Sequence, residues 1–133
     1  MKEQRIKELY ADFENALKRL DDALKVDVEL TDVVIDGSIQ RFEFTFELAW
    51  KLAKLVLEYN GIDVAVPRLV IKEAYAAKML SDGDGWIDML QDRNKTSHIY
   101  DEKEALLIYE KIKNKHFPLF QEFRRYICTV LPK

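Results

Sequence analysis

Cysteine, glycine, proline and histidine are all scarce in this sequence, and each shortage removes a class of protein. Its 133 residues include one cysteine, Cys128, so no internal disulfide can form and an oxidising compartment gains no support. Four glycines and three prolines leave little material for the turns of a β-rich fold. No stretch approaches the roughly 20 apolar residues that span a bilayer. The start, Met1-Lys2-Glu3-Gln4-Arg5, is charged and leads into an amphipathic pattern, not an apolar export signal. The expectation is a cytoplasmic protein with no membrane segment. No glycine-rich loop is present to cradle nucleotide phosphates, so no cofactor is expected. Two distant histidines and one cysteine do not make a zinc site. A di-iron bundle fails too, because it needs Glu three residues before His, where Lys95 and Lys113 stand. The expected metal content is therefore none. There is also no basic excess: the net charge of -3 argues against wrapping a long nucleic acid, though not against a site touching one or two phosphates.

What is present is a folded helical chain. The apolar fraction of 48% and charged fraction of 34% are those of an ordinary globular domain. A chain this long buries roughly two-thirds of its unfolded surface, enough for one core. Ile6, Leu9, Phe13, Leu17, Leu20 and Leu24 recur at helical spacing, which predicts a first helix over 3–24. Val26, Val28 and Leu30 alternate with acids; an extended connector is expected there, with a short strand as the alternative. Thr31 or Asp32 caps a second helix reaching Tyr59, with Ile39, Phe42, Phe46, Ala49, Trp50, Ala53 and Leu57 on its core face. Asn60-Gly61 stops it. Pro67 opens a third helix expected to run to Leu80, and a fourth is expected from Trp86 to about Lys95. Asp101 with Glu104 resembles a capping box for the last helix, which Pro118 should kink or interrupt before 119–131 resumes. The predicted fold is all-α: a single domain, 1–133, forming an up-and-down bundle of four to five helices.

Candidate chemistry concentrates in Arg93-Asn94-Lys95-Thr96-Ser97-His98-Ile99-Tyr100, which gathers a cation, an amide, two hydroxyls, an imidazole and a phenol. His116, beside Phe117-Pro118, reads as structural or solvent-facing. By itself the segment can be a polar turn between helices, with Thr96 and Ser97 satisfying helix-end backbone groups. On one straight helix Arg93 and His98 would point about 140° apart. They converge only if the helix ends between them or a second subunit supplies one of the pair. A two-fold dimer would gather both copies in one cleft. Such a set suits phosphate chemistry, with Arg gripping phosphate oxygens and His moving protons near neutral pH.

Arg93-x4-His98 resembles the Arg-x4-6-His motif of HEPN ribonucleases. Its extension to Tyr100 is similar to the pattern of HepT toxins. The run from Arg41 to Lys51, Arg-Phe-Glu-Phe-Thr-Phe-Glu-Leu-Ala-Trp-Lys, resembles the second-helix signature of the nucleotidyltransferase substrate-binding family. The resemblance covers about Leu24 to Glu110. It implies a homodimer partnered by a cognate minimal nucleotidyltransferase, with RNA as substrate. Arg93 and His98 would be catalytic in metal-independent endoribonuclease action. Tyr100 would be the hydroxyl that receives AMP, silencing the toxin of a toxin–antitoxin pair by placing a negative phosphate beside the cationic site. The alternative it implies is a non-catalytic subunit that presents a substrate or nucleotide to the transferase. A degenerate structural dimer is the third reading. Asn94 and Ser97 stand as supporting residues.

Glu43, Glu47 and Lys51 form a stripe at spacing four, which reads either as a solvated face with a Glu47–Lys51 pair or as carboxylates that orient Arg93. Glu43 and Glu47 too stand as supporting residues. Phe42 and Phe46 read as core, Phe44 as lying on another face, and Trp50 and Trp86 as core or dimer anchors.

Overall fold

The structure is a computed structural model describing residues 2–99 and 101–131. Helix α1 (Lys2–Leu24) turns its stripe of Ile6, Leu9, Tyr10, Phe13, Leu17, Leu20 and Leu24 inward, and packs chiefly on α2 (Val33–Tyr59). Between them, residues 25–32 form turns and no strand. The 27 residues of α2 make it the spine of the molecule, in contact with α1 and with α3 (Pro67–Ala76), α4 (Gly83–Lys95) and α5 (Glu102–Lys111). A π-helical segment, Ile112–His116, joins α5 to α6 (Phe117–Val130) as one interrupted helix. Counted so, the described residues form a bundle of five helices around one core, within the four to five expected. No helix among them is long and apolar enough to cross a membrane.

The core centre is aromatic. Phe13, Phe42, Phe46, Phe120 and Phe123 are enclosed with Trp86, and Phe13–Phe123 and Trp86–Phe123 meet edge to face at 5.6 and 5.5 Å. Such pairs add about 0.5–1.5 kcal/mol each beyond area burial. Trp50, expected on the core face of α2, is only partly buried and packs at the margin.

Helix ends follow local chemistry. Gly61 takes φ 87°, letting Ile62 N–H donate to Leu57 C=O at 2.8 Å and Gly61 N–H to Glu58 C=O at 3.0 Å. This is the glycine-terminated double hydrogen bond common at helix ends. α3 closes in the same way, but on Lys78 at φ 63°, with Met79 N–H donating to Ala74 C=O at 2.9 Å. That is why α3 stops at Ala76 and not at the expected Leu80. The turn drives Met79 and Leu80 into the core, which offsets the strain of a left-handed lysine. α4 starts earlier than expected because Asp82 Oδ1 accepts the Gly85 N–H at 2.9 Å. A Cβ at Gly85 would stand 2.5 Å from the Asp82 carboxylate, so this cap requires a glycine. Asp101 caps α5 through the Glu104 N–H at 2.8 Å.

The interruption expected at Pro118 lies just upstream of it. Proline removes one backbone donor and crowds the carbonyl four residues back. The wider π turn over 112–116 takes up that misfit and leaves Pro118 in the first turn of α6. Its consequence is the inward swing of His116, 1% exposed and stacked on Phe42 at 5.3 Å.

Candidate functional site

The exposed strip of α2 meets the C-terminal end of α4 at Arg93. Glu43 Oε2 lies 3.2 Å from Arg93 Nη1, and Glu47 Oε1 lies 3.6 Å from Arg93 Nε. Glu43 Oε2 also accepts the Thr96 hydroxyl at 2.8 Å, although that hydroxyl lies equally close to the Arg93 carbonyl, at 2.7 Å. On the other side, Glu47 Oε2 accepts the Trp50 indole N–H at 3.2 Å and lies 4.0 Å from Lys51 Nζ. Glu43 is thus held from the turn that follows α4, and Glu47 from within α2, before either meets the guanidinium. Pairs this exposed are worth little individually; their value is in fixing one rotamer of Arg93. The Arg93 side chain is 27% exposed, open to a ligand yet not free to swing.

The helix ends between Arg93 and His98. α4 stops at Lys95, and Thr96–His98 tighten into a single 3-10 turn closed by Ser97 Oγ donating to the Asn94 carbonyl at 3.3 Å. His98 is exposed, as are the side chains of Asn94, Lys95 and Ser97. Among the described residues no hydrogen bond or ion pair joins Arg93 to His98. Glu43, Glu47, Thr96 and Arg93 are therefore assembled into one cluster, while His98 lies exposed on the turn that follows α4. Tyr100, expected to complete the motif, lies outside the described residues.

A second polar cluster was not anticipated. Asp92, the neighbour of Arg93, points the opposite way into the core, where its Oδ2 lies 2.6 Å from His116 Nε2 and 2.8 Å from Lys111 Nζ. Lys111 also reaches Asp88 at 3.0 Å. Burial works against the Asp92 charge, but the hydrogen bond with His116, then that with Lys111, outweigh it and hold the carboxyl below its ordinary range. Burial likewise disfavours charged Lys111, and its bonds to Asp92 and Asp88 more than compensate, raising its pKa. Asp88, Asp92 and His116 offer atoms close enough to share a metal ion, but the Lys111 ammonium already bridges the two carboxylates. This cluster bolts α4 to the π segment and thereby fixes the helix that carries Arg93. Nothing in the sequence pairs residues 92 and 116 until the π turn rotates His116 inward.

The sequence matches the family described as nucleotidyltransferase substrate binding protein like over residues 8–127, nearly the whole chain, and the protein belongs to that family. It is 34% identical over 86 residues to a Haemophilus influenzae protein named "Probable ribonuclease HepT". That alignment covers 61% of this chain and 59% of the relative, so the match spans less than two-thirds of the relative's length. A crystal structure of a Thermus thermophilus protein superposes with a TM-score of 0.74 at 30% identity, covering 91% of this chain and 99% of that one. A Haemophilus influenzae structure, described as revealing the fold of a substrate binding domain of a nucleotidyltransferase, superposes with a TM-score of 0.69. At 22% identity, covering 95% of this chain and 98% of that one, it shares the fold.

Proposed function

We propose that this chain is a metal-independent endoribonuclease of the HepT type, working as a cytoplasmic homodimer and silenced by a partner nucleotidyltransferase. The observation that carries the reading is Arg93: Glu43 holds its Nη1 at 3.2 Å and Glu47 stands 3.6 Å from its Nε, while the side chain stays 27% exposed. A guanidinium fixed in this way can grip a phosphate oxygen and stabilise charge building on it. The exposed His98, on the turn that follows, takes the proton from a ribose 2′-hydroxyl. The 2′-oxygen then attacks phosphorus, the bond from phosphorus to the 5′-oxygen breaks, and a cyclic phosphate and a 5′-hydroxyl result. The leaving oxygen needs a proton, which the second copy's His98 supplies across a two-fold cleft. Asn94 and Ser97 line the approach, and Glu43 and Glu47 act as positioning residues. AMP transferred to Tyr100 would add bulk and negative charge to the Arg-x4-His-x-Tyr motif and repel RNA.

A second reading is favoured by the same clamp, since two carboxylates against Arg93 and Lys51 leave the cluster without net positive charge. In it the bundle is a non-catalytic subunit presenting a substrate or nucleotide to the transferase. Co-expression with a cognate transferase followed by intact mass measurement separates the two. The proposal expects the gain of one or more AMP units on Tyr100, accompanied by loss of RNA cutting. A stable complex with unchanged mass and no cutting before or after would overturn it.

A further inference from the structure

The run from Arg41 to Lys51 is only partly used by the Arg93 cluster, which takes Glu43 and Glu47. On the flank of the same helix that faces α1, a cavity of about 390 Å³ is lined by Ala16, Arg19, Gly37, Gln40, Arg41 and Phe44. Phe44 is 62% exposed, whereas Phe42 and Phe46 of the same run are fully enclosed. Arg41 Nη1 donates to the Arg19 main-chain carbonyl at 2.6 Å, which ties the Arg41 guanidinium to α1 beside the Arg19 side chain. Among the described residues neither arginine forms an ion pair, whereas Arg5, Arg93 and Arg124 each do. Gly37 borders open space, where an added Cβ would meet nothing within 4 Å.

We infer that this cavity is a nucleotide subsite, taking a phosphate on Arg19 and Arg41 and stacking a base on Phe44, with the Gln40 amide at the base edge. An exposed aromatic face beside unneutralised guanidinium groups is the chemistry that single-stranded nucleic acid recognises. Phe44 and Glu47 are three residues apart and so neighbours on the helix surface. A strand seated on Phe44 therefore leads directly to the residues that hold Arg93. The inference rests on the proposed function in taking the nucleotide to be part of an RNA strand; a free nucleotide offers the same phosphate and base.

The test uses a short fluorescein-labelled single-stranded 2′-fluoro RNA, which lacks the reacting hydroxyl, with binding read by anisotropy across a salt series. Phe44→Ala is expected to weaken binding about tenfold. Arg19→Gln and Arg41→Gln should each lower the salt slope by about 0.7. Competition by AMP against wild type but not Phe44→Ala would assign the site to free nucleotides as well. Unchanged affinity and slope in all three variants overturns the subsite, even if the wild type cuts RNA. So does a Phe44→Ala variant that changes its sedimentation mass, since the surface would then be a protein interface. Conversely, variants that lose RNA binding while wild type cuts no RNA would retain the subsite and remove the ribonuclease.

Discussion

Cutting Asp92 back to alanine isolates the contact that positions α4. The carboxylate is 2% exposed and accepts from His116, itself 1% exposed, so no water can replace it on the imidazole. Lys111 is less dependent, because its ammonium keeps Asp88 at 3.0 Å and its side chain is 32% exposed. The loss is therefore dominated by a stranded buried histidine. Removing one partner of a buried pair costs about 3–5 kcal/mol, and the retained Lys111–Asp88 pair places Asp92→Ala near about 3 kcal/mol. With a urea m-value of about 2 kcal/mol per M, the unfolding midpoint falls by about 1.5 M. The double variant Asp92→Ala with His116→Ala should lose less than the sum of the singles, since the stranded partner is gone. The difference should also shrink in acid. The folded pKa of Asp92 lies below its ordinary value of 3.8. Its stabilisation is therefore complete above that value and is lost as pH falls through the folded pKa. A cost under about 1 kcal/mol at neutral pH, or one that does not shrink in acid, would refute the claim that the Asp92–His116 pair holds α4.

Other consequences are open to direct measurement. Lys78→Gly relieves the left-handed strain at φ 63° and should raise stability by about 0.5 kcal/mol in urea unfolding, while Lys78→Val should lower it. Phe13→Ala removes a fully enclosed ring that packs on Phe120 and Phe123, and should cost about 3–5 kcal/mol by the same assay. Tyr100→Phe should abolish the AMP mass gain on co-expression with the cognate transferase; a gain that persists would place the modification elsewhere.

The parts of the fold that were legible were those written in local periodicity. The stripe from Ile6 to Leu24 fixes α1, and Asn60-Gly61 ends α2, because each signal needs only neighbours in sequence. Lys78 hid the end of α3, since a lysine does not announce a left-handed turn that only the burial of Met79 and Leu80 compensates. An interruption near Pro118 was legible, but its π form and its place upstream were not, because they answer the proline together with a contact between Asp92 and His116. At the candidate site, the end of the helix between Arg93 and His98 was one of two alternatives allowed by their angular mismatch. The Glu43 and Glu47 stripe was ambiguous for a physical reason. Charged residues at spacing four look alike whether they meet solvent or an arginine some 50 positions later.

The most direct test of the central claim is incubation of purified wild type, Arg93→Ala and His98→Ala with single-stranded RNA in a metal chelator. The account predicts cutting by wild type that yields 2′,3′-cyclic phosphate ends, and its loss in both variants with helical circular dichroism unchanged. RNA left intact by folded, unmodified wild type, or cut equally by His98→Ala, would contradict it.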